Sequence, residues 1–195
     1  FLETLKMPYV GTGVLASACG MDKIMTKYVL QAGGIPQVPY VPVLAMHWKQ
    51  DPQLIFEHCE GSLLYPMFVK PANMGSSVGI SKAENRDELE AALNEAFLYD
   101  TRGIIEQGIE VAVLEMKNVR TTMAGEIVKD VAFYDYNSKY IDNKIVMQIP
   151  AQVPDEVQQK AQEYAKKAYT MLGGSGLSRC DFFLTNKNEL FLNEL

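Results

Sequence analysis

Residues 181–194, Asp181-Phe182-Phe183-Leu184-Thr185-Asn186-Lys187-Asn188-Glu189-Leu190-Phe191-Leu192-Asn193-Glu194, place two apolar runs around a polar turn and read as a β-hairpin. With the turn centred on Lys187-Asn188, Asp181 faces Glu194 across the ladder. Side chains alternate along a strand, so Arg179 shares the face of Asp181. Two carboxylates directly opposite each other repel, which destabilises a packed domain unless a cation sits between them. Oxygen donors of this kind suit Mg²⁺, which takes one or two carboxylates and fills its shell with substrate phosphates and water. A solvated hairpin face with Arg179 neutralising Asp181 accounts for the same residues. A turn shifted by one residue would undo the pairing.

Working back from the hairpin, a helix follows Pro154, with Val157, Ala161, Tyr164, Ala165, Ala168, Tyr169 and Leu172 on one face and Gly173-Gly174 ending it. Strands are read at Ile145–Ile149, Glu126–Phe133, Glu110–Leu114 and Ile104–Glu106. Another helix is capped by Asn85, carries Glu88 three residues on, and presents Leu89, Ala92, Leu93, Ala96 and Phe97 as one stripe. Short strands are read at Val78–Ser81 and Pro66–Val69, and a helix over residues 45–62. The run Val38–Leu44 carries Pro39 and Pro42, which suits an edge strand. Met21–Ala32 has helical spacing up to Gly33-Gly34, and Ala16-Ser17-Ala18 is helix-like. Strands and helices mix without regular βαβ alternation, so the fold class is α+β with antiparallel sheets.

Composition narrows the function. The 195 residues are 48% hydrophobic and 22% charged, with a net charge of −6, as in an ordinary globular chain. The acidic balance argues against a nucleic-acid surface. No run of about 18 uncharged apolar residues marks a transmembrane helix, and Phe1–Lys6 does not read as a secretory signal. Cys19, Cys59 and Cys180 are odd in number and widely spaced, which fits reduced thiols in a cytoplasmic protein rather than disulfides or a zinc site. The two histidines, His47 and His58, leave little room for histidine-based chemistry. The chain starts and stops abruptly and reads as a fragment.

Two further stretches can carry chemistry. In Phe68-Val69-Lys70-Pro71-Ala72-Asn73-Met74-Gly75-Ser76-Ser77-Val78-Gly79, a lysine at a strand end precedes a glycine–serine loop. Such a loop offers an ammonium, backbone amides and two hydroxyls to an anion. It is not a P-loop, because the lysine precedes the glycine, and a plain turn accounts for the same residues. In Phe133-Tyr134-Asp135-Tyr136-Asn137-Ser138-Lys139-Tyr140, aromatics crowd a connection between strands, as in a loop that folds over a ligand or in a hairpin end packed on the core. Lys23, on the first turn of a helix, and Glu106, at a strand end, are unremarkable alone. Together, three lysines, a serine loop and two opposed carboxylates describe ATP-dependent chemistry by charge stabilisation.

The stretches MPYVGTGVLASACGMDK, YPMFVKPANMGSSVGISK, IIEQGIEVAVL, EIVKDVAFYDYNSKY and GLSRCDFFLTNKNELFLNEL resemble the D-alanine–D-alanine ligase family of the ATP-grasp superfamily, in that family's order and nearly its spacing. The resemblance implies an ATP-grasp fold divided as 1–20, a remnant of an N-terminal domain; 21–106, a central domain; and 107–195, a truncated C-terminal domain. It implies nucleotide held between the last two. It further implies ATP and D-alanine as substrates, an acyl phosphate intermediate, a role in peptidoglycan synthesis, two Mg²⁺ or Mn²⁺ ions and a homodimer. D-lactate or D-serine as acceptor, or an ATP-binding module without catalysis, are the alternatives.

Carried over by position, Lys23 and Lys70 match phosphate ligands, and Gly75-Ser76-Ser77 the loop that closes on the phosphates, with Ser76 also reaching toward the substrate side. Glu106 matches the hinge residue for the adenine amino group, Gln107 and Ile109 line the base, and Glu110 matches the ribose ligand. Lys139 and Tyr140 match the loop that caps the active site, and Tyr140 favours the dipeptide-forming type. Arg179 matches the group that stabilises the transferring phosphoryl, and Asp181 and Glu194 match metal ligands. The pattern departs at three places. The N-terminal domain and its acidic residue are missing before Phe1, and the chain stops one residue short of an Asn that completes the metal site. A few residues, typically including an Arg-Glu pair, are missing before the strand at Glu110, which leaves the placement of Glu110 open.

Overall fold

The computed structural model describes residues 1–109, 111–117, 122–128 and 146–195. They form two compact units, one of Val38–Ile109 and one of Phe1–Gln37 with the described residues from 111 onwards.

In the 38–109 unit, four antiparallel strands lie in the order β1-β4-β2-β3: β1 (Tyr40–Leu44), β2 (Met67–Pro71), β3 (Ser81–Ala83) and β4 (Arg102–Gln107). The proline-bearing β1 is at an edge, where a missing N–H breaks no ladder. β4, paired on both sides, buries Ile104 and Ile105 completely. Two expectations change here. The helix read over 45–62 is two helices, α3 (Ala45–Gln50) and α4 (Pro52–Ser62): Pro52 cannot continue α3, and the Asp51 carboxylate caps the new start by accepting from the Leu54 N–H at 3.0 Å. The strand read at Val78–Ser81 begins only at Ser81, because Ser76, Ser77 and Gly79 have φ of 53°, 62° and 68° and turn the chain before it can pair.

Helix α5 (Arg86–Ala96) starts as the sequence indicates. Asn85 accepts from the Glu88 N–H at 3.0 Å, and Leu89, Ala92, Leu93 and Ala96 are buried. They join Val41, Val43, Trp48, Phe56, Met67, Val69 and Ile105 in one core. Across its surface, Glu60 accepts from the Tyr65 hydroxyl at 3.0 Å and from Arg86, whose guanidinium also lies 5.0 Å over the Phe56 ring.

The other unit holds α1 (Val14–Met21), α2 (Lys23–Ala32), α6 (Asp155–Met171) and an antiparallel sheet in the order β7-β6-β5-β8-β9, from β5 (Val111–Lys117), β6 (Gly125–Val128), β7 (Val146–Gln148), β8 (Arg179–Thr185) and β9 (Leu190–Glu194). The periodic face of α6 buries Val157, Ala161, Ala165 and Ala168 against Phe182, Leu184, Leu190 and Leu192. Leu30 and Ile35 enter this same core, and the Leu192 N–H donates to the Pro36 carbonyl at 2.9 Å. Residues 21–37 therefore pack with the C-terminal strands. Of the strand read over 126–133, residues beyond Val128 lie outside the described residues, as does the aromatic stretch 133–140. Among the described residues, no helix is long and apolar enough to cross a membrane.

Candidate active site

Within the 38–109 unit, Lys70 and Glu106 sit on neighbouring strands. Lys70 is opposite Ile104 and Phe68 opposite Glu106, so lysine and glutamate are diagonal neighbours on one face of the sheet. The Lys70 Nζ donates to Glu106 Oε2 at 2.5 Å, with the side chains only 13% and 4% exposed. A charge pair this sheltered is held in one geometry, and removing either member strands the other in a poorly solvated place. The glutamate read as a hinge residue thus fixes the lysine read as a phosphate ligand.

The chain on either side of Glu106 is tied down as well. The Gln107 N–H donates to the Pro39 carbonyl at 3.0 Å, and its Oε1 accepts from the Leu64 N–H at 3.0 Å. The Gly108 N–H donates to the Pro66 carbonyl at 2.7 Å. There a side chain would have no room, since a Cβ would stand 2.7 Å from that carbonyl oxygen. Ile109 is half-buried beyond it. Gln107, read as lining the base, turns its amide oxygen to the Leu64 backbone.

Lys70 leads through Pro71 into the glycine–serine loop. Gly75-Ser76-Ser77 forms a tight arc in which the Val78 N–H donates to the Gly75 carbonyl at 3.0 Å and the Ile80 N–H to the Ser77 carbonyl at 3.3 Å. Ser76 is exposed and Ser77 half-buried, and both lie in the left-handed region. Sequence reasoning missed what holds this arc. The Asp100 Oδ2 accepts from the Asn73 N–H at 2.9 Å and from Asn73 Nδ2 at 2.8 Å, while its Oδ1 accepts from the Arg102 N–H at 3.1 Å. Burial by itself would raise the Asp100 carboxyl, but the hydrogen bonds from Asn73 and Arg102 outweigh it and hold the group below the ordinary aspartate range. The available signal was an Asp just after a helix end and just before a strand.

In the other unit, Lys23 is the first residue of α2, next to the cap Asp22, whose Oδ1 accepts from the Ile24 and Met25 N–H groups at 3.0 Å each. Arg179, Asp181 and Glu194 lie on β8 and β9. Arg179 is bidentate on Asp181, Nε to Oδ1 and Nη2 to Oδ2, both at 2.9 Å. Asp181 pairs with Glu194 as read from the hairpin, but by another route. The ladder Phe182–Leu192, Phe183–Phe191, Leu184–Leu190 centres on Lys187, and a register shift between Asp181 and Phe182 brings Glu194 opposite Asp181. Two carboxylates at one cross-strand position fit the donor set of a hard divalent cation whose remaining ligands are phosphate and water. Among the described residues no group of three or more His, Cys, Asp or Glu gathers into a fuller cage. Glu110, Lys139 and Tyr140 lie outside the described residues. Cys19, Cys59 and Cys180 are free thiols, the last two buried.

Comparison with known proteins adds a second line. A family described as "D-ala D-ala ligase C-terminus" matches residues 29–195. The chain is similar to the D-alanine--D-alanine ligase of Enterococcus gallinarum, 79% identical over 200 aligned positions that cover all of this chain and 63% of the relative. It is similar to that of Enterococcus faecalis at 72% identity, covering all of this chain and 58% of the relative. Among solved structures, the VanG D-Ala:D-Ser ligase from Enterococcus faecalis superposes with a TM-score of 0.85 at 32% identity, over 98% of this chain and 56% of that one. The D-alanine-D-alanine ligase from Coxiella burnetii gives a TM-score of 0.81 at 29% identity, over 99% of this chain and 51% of that one. The chain thus spans about six-tenths of the length of the curated relatives it matches.

Proposed function

From the premise that this chain belongs to the family of D-ala D-ala ligase C-termini, we propose that the whole protein joins two D-alanines at the expense of ATP. The carboxylate of the first D-alanine attacks the γ-phosphorus of ATP, forming an acyl phosphate and releasing ADP. The amine of the second then attacks the carbonyl carbon, the C–N bond forms as inorganic phosphate leaves, and the dipeptide loses a proton. The dipeptide serves peptidoglycan synthesis in the cytoplasm, a reducing compartment that suits three free thiols.

The observation that carries this reading is the cross-strand placement of Asp181 and Glu194 beside Arg179. Asp181 and Glu194 would hold a Mg²⁺, which would supply charge neutralisation at the terminal phosphates of ATP. The Arg179 guanidinium, already oriented by Asp181, stabilises the negative charge of the transferring phosphoryl and of the tetrahedral carbon that follows. Lys70, fixed by Glu106, and Lys23 contact phosphate oxygens. The backbone amides of Gly75-Ser76-Ser77 cover the triphosphate, with Ser76 toward the amino acid. The Glu106–Ile109 stretch receives the adenine, Glu110 the ribose, and Lys139 with Tyr140 caps the site.

The test uses the intact protein with ATP, Mg²⁺ and D-alanine. Phosphate release that depends on D-alanine, with D-alanyl-D-alanine identified by mass, supports the proposal; no D-alanine-dependent release under saturating conditions refutes it. A second reading, D-serine as the second substrate, is favoured by the likeness to the D-Ala:D-Ser ligase. Supplying D-alanine with equimolar D-serine and weighing the products distinguishes the two.

A further inference from the structure

We propose that Asp100 is the positioning residue of the glycine–serine loop, holding its backbone ready for the triphosphate while touching no part of the nucleotide. The inference rests on the phosphate role given above to Gly75-Ser76-Ser77.

The loop is secured at both ends by groups from one short segment, Tyr99–Arg102. At the entry, a single Asp100 carboxylate oxygen accepts both the backbone and the side-chain N–H of Asn73, and the other takes the Arg102 N–H. The Ala72 N–H donates to the Arg102 carbonyl at 3.0 Å. Asp100 therefore clips the loop to the first residue of β4, the strand that carries Glu106. At the exit, Gly79 has a φ of 68°, and a Cβ there would stand 2.6 Å from the Tyr99 ring and 2.8 Å from Pro71 Cγ. The chain thus passes between two rings with no space for a side chain. Residues 74–78 form the arc between these anchors.

Within that arc Ser76 and Ser77 both adopt a left-handed backbone, which residues with a Cβ populate sparsely. Such conformations persist where the flanking structure over-determines them. An isolated loop of this composition would relax, and its N–H groups would have to be gathered again at each binding event. A carboxylate accepting three N–H groups supplies the constraint beforehand.

The test measures ATP and adenosine affinity on the intact protein by calorimetry for Ser76→Pro, Asp100→Ala and Asp100→Asn. Ser76→Pro removes the left-handed arc directly and is expected to weaken ATP about tenfold, leaving adenosine unchanged. Asp100→Ala is expected to do the same at a distance. Asp100→Asn, which keeps one acceptor oxygen, should fall between it and the parent, and it serves as the probe if Asp100→Ala does not fold. Hydrogen exchange should accelerate at residues 73–79 in the Asp100 variants, with α5 unaltered. An unchanged ATP affinity in Ser76→Pro would refute the phosphate role of the loop and this inference with it. Weakened ATP binding in Ser76→Pro but parental binding in both Asp100 variants would overturn the role of Asp100 alone. Equal losses for ATP and adenosine, with exchange accelerated throughout α5, would make Asp100 a merely structural residue.

Discussion

Asp181 and Glu194 stand opposite each other across β8 and β9 because the register slips by one residue at Asn193. Had the ladder set by Phe182–Leu192 run on, Asp181 would face Asn193. Glu194 would then share the inward parity of Leu190 and Leu192, both buried. A carboxylate in that core would be strongly unfavourable, so the bulge both relieves a packing conflict and assembles the acid pair.

For this pair, Asp181→Asn and Glu194→Gln are each expected to lower kcat about 100-fold while ATP affinity changes less. Charge at the cation site matters most as negative charge develops in transfer. Steady-state kinetics on the intact protein, with Kd for ATP measured separately, checks this; equal losses in both quantities would count against the assignment.

The Lys70–Glu106 pair predicts a mutant cycle. Lys70→Met removes the ammonium that faces a 4%-exposed carboxylate and is expected to destabilise the fold by about 3 kcal/mol. It also weakens ATP by about 1.5–3 kcal/mol through the lost phosphate contact. Adding Glu106→Gln should restore most of the stability and none of the ATP affinity. Urea unfolding and calorimetry separate the two effects; recovery of both together would mean that Lys70 serves only the fold.

Alkaline pH should destabilise the protein. Burial, then the nearby Glu60, pushes the Cys59 thiol up to about 12, and burial, then Asp181, does the same for Cys180. Tyr65 rises to about 12 through burial and its hydrogen bond to Glu60. The unfolded chain loses these protons from about pH 9 to 10. Between there and pH 12 the folded state binds more protons, and stability falls as pH rises, by up to about 1.4 kcal/mol per pH unit for each proton. Urea midpoints from pH 8 to 11 should decline, and Cys180→Ala should show a shallower decline; parallel slopes would contradict the assignment.

Gly108→Ala tests the stretch after Glu106. Its Cβ would stand 2.7 Å from a backbone oxygen and 2.9 Å from Phe68 Cε2, positions set by the paired β2. The crowding is expected to cost about 1–3 kcal/mol and to weaken adenosine several-fold by shifting the adenine stretch. Parental stability and adenosine affinity would show that the close approach at Pro66 is easily relaxed.

Much of this was legible in the sequence, because it depends on neighbours along the chain. The apolar spacing of α5 and α6, the Asn85 cap, the edge-strand prolines and the C-terminal hairpin are local patterns, and the strings around Lys70 and Asp181 suffice for the family resemblance. Sequence could not show that β4 inserts between β1 and β2, because sheet order is decided by which apolar faces bury together. With that insertion, Lys70 meets Glu106 diagonally, 36 residues away. Nor could it show Asp100 clipping Asn73 across 27 residues. That Leu30 of α2 and Ile35 just after it join the C-terminal core was hidden in the same way. The Asn193 bulge lay beyond it too, since a hairpin's alternation does not reveal where a ladder must slip to keep a charge out of its core.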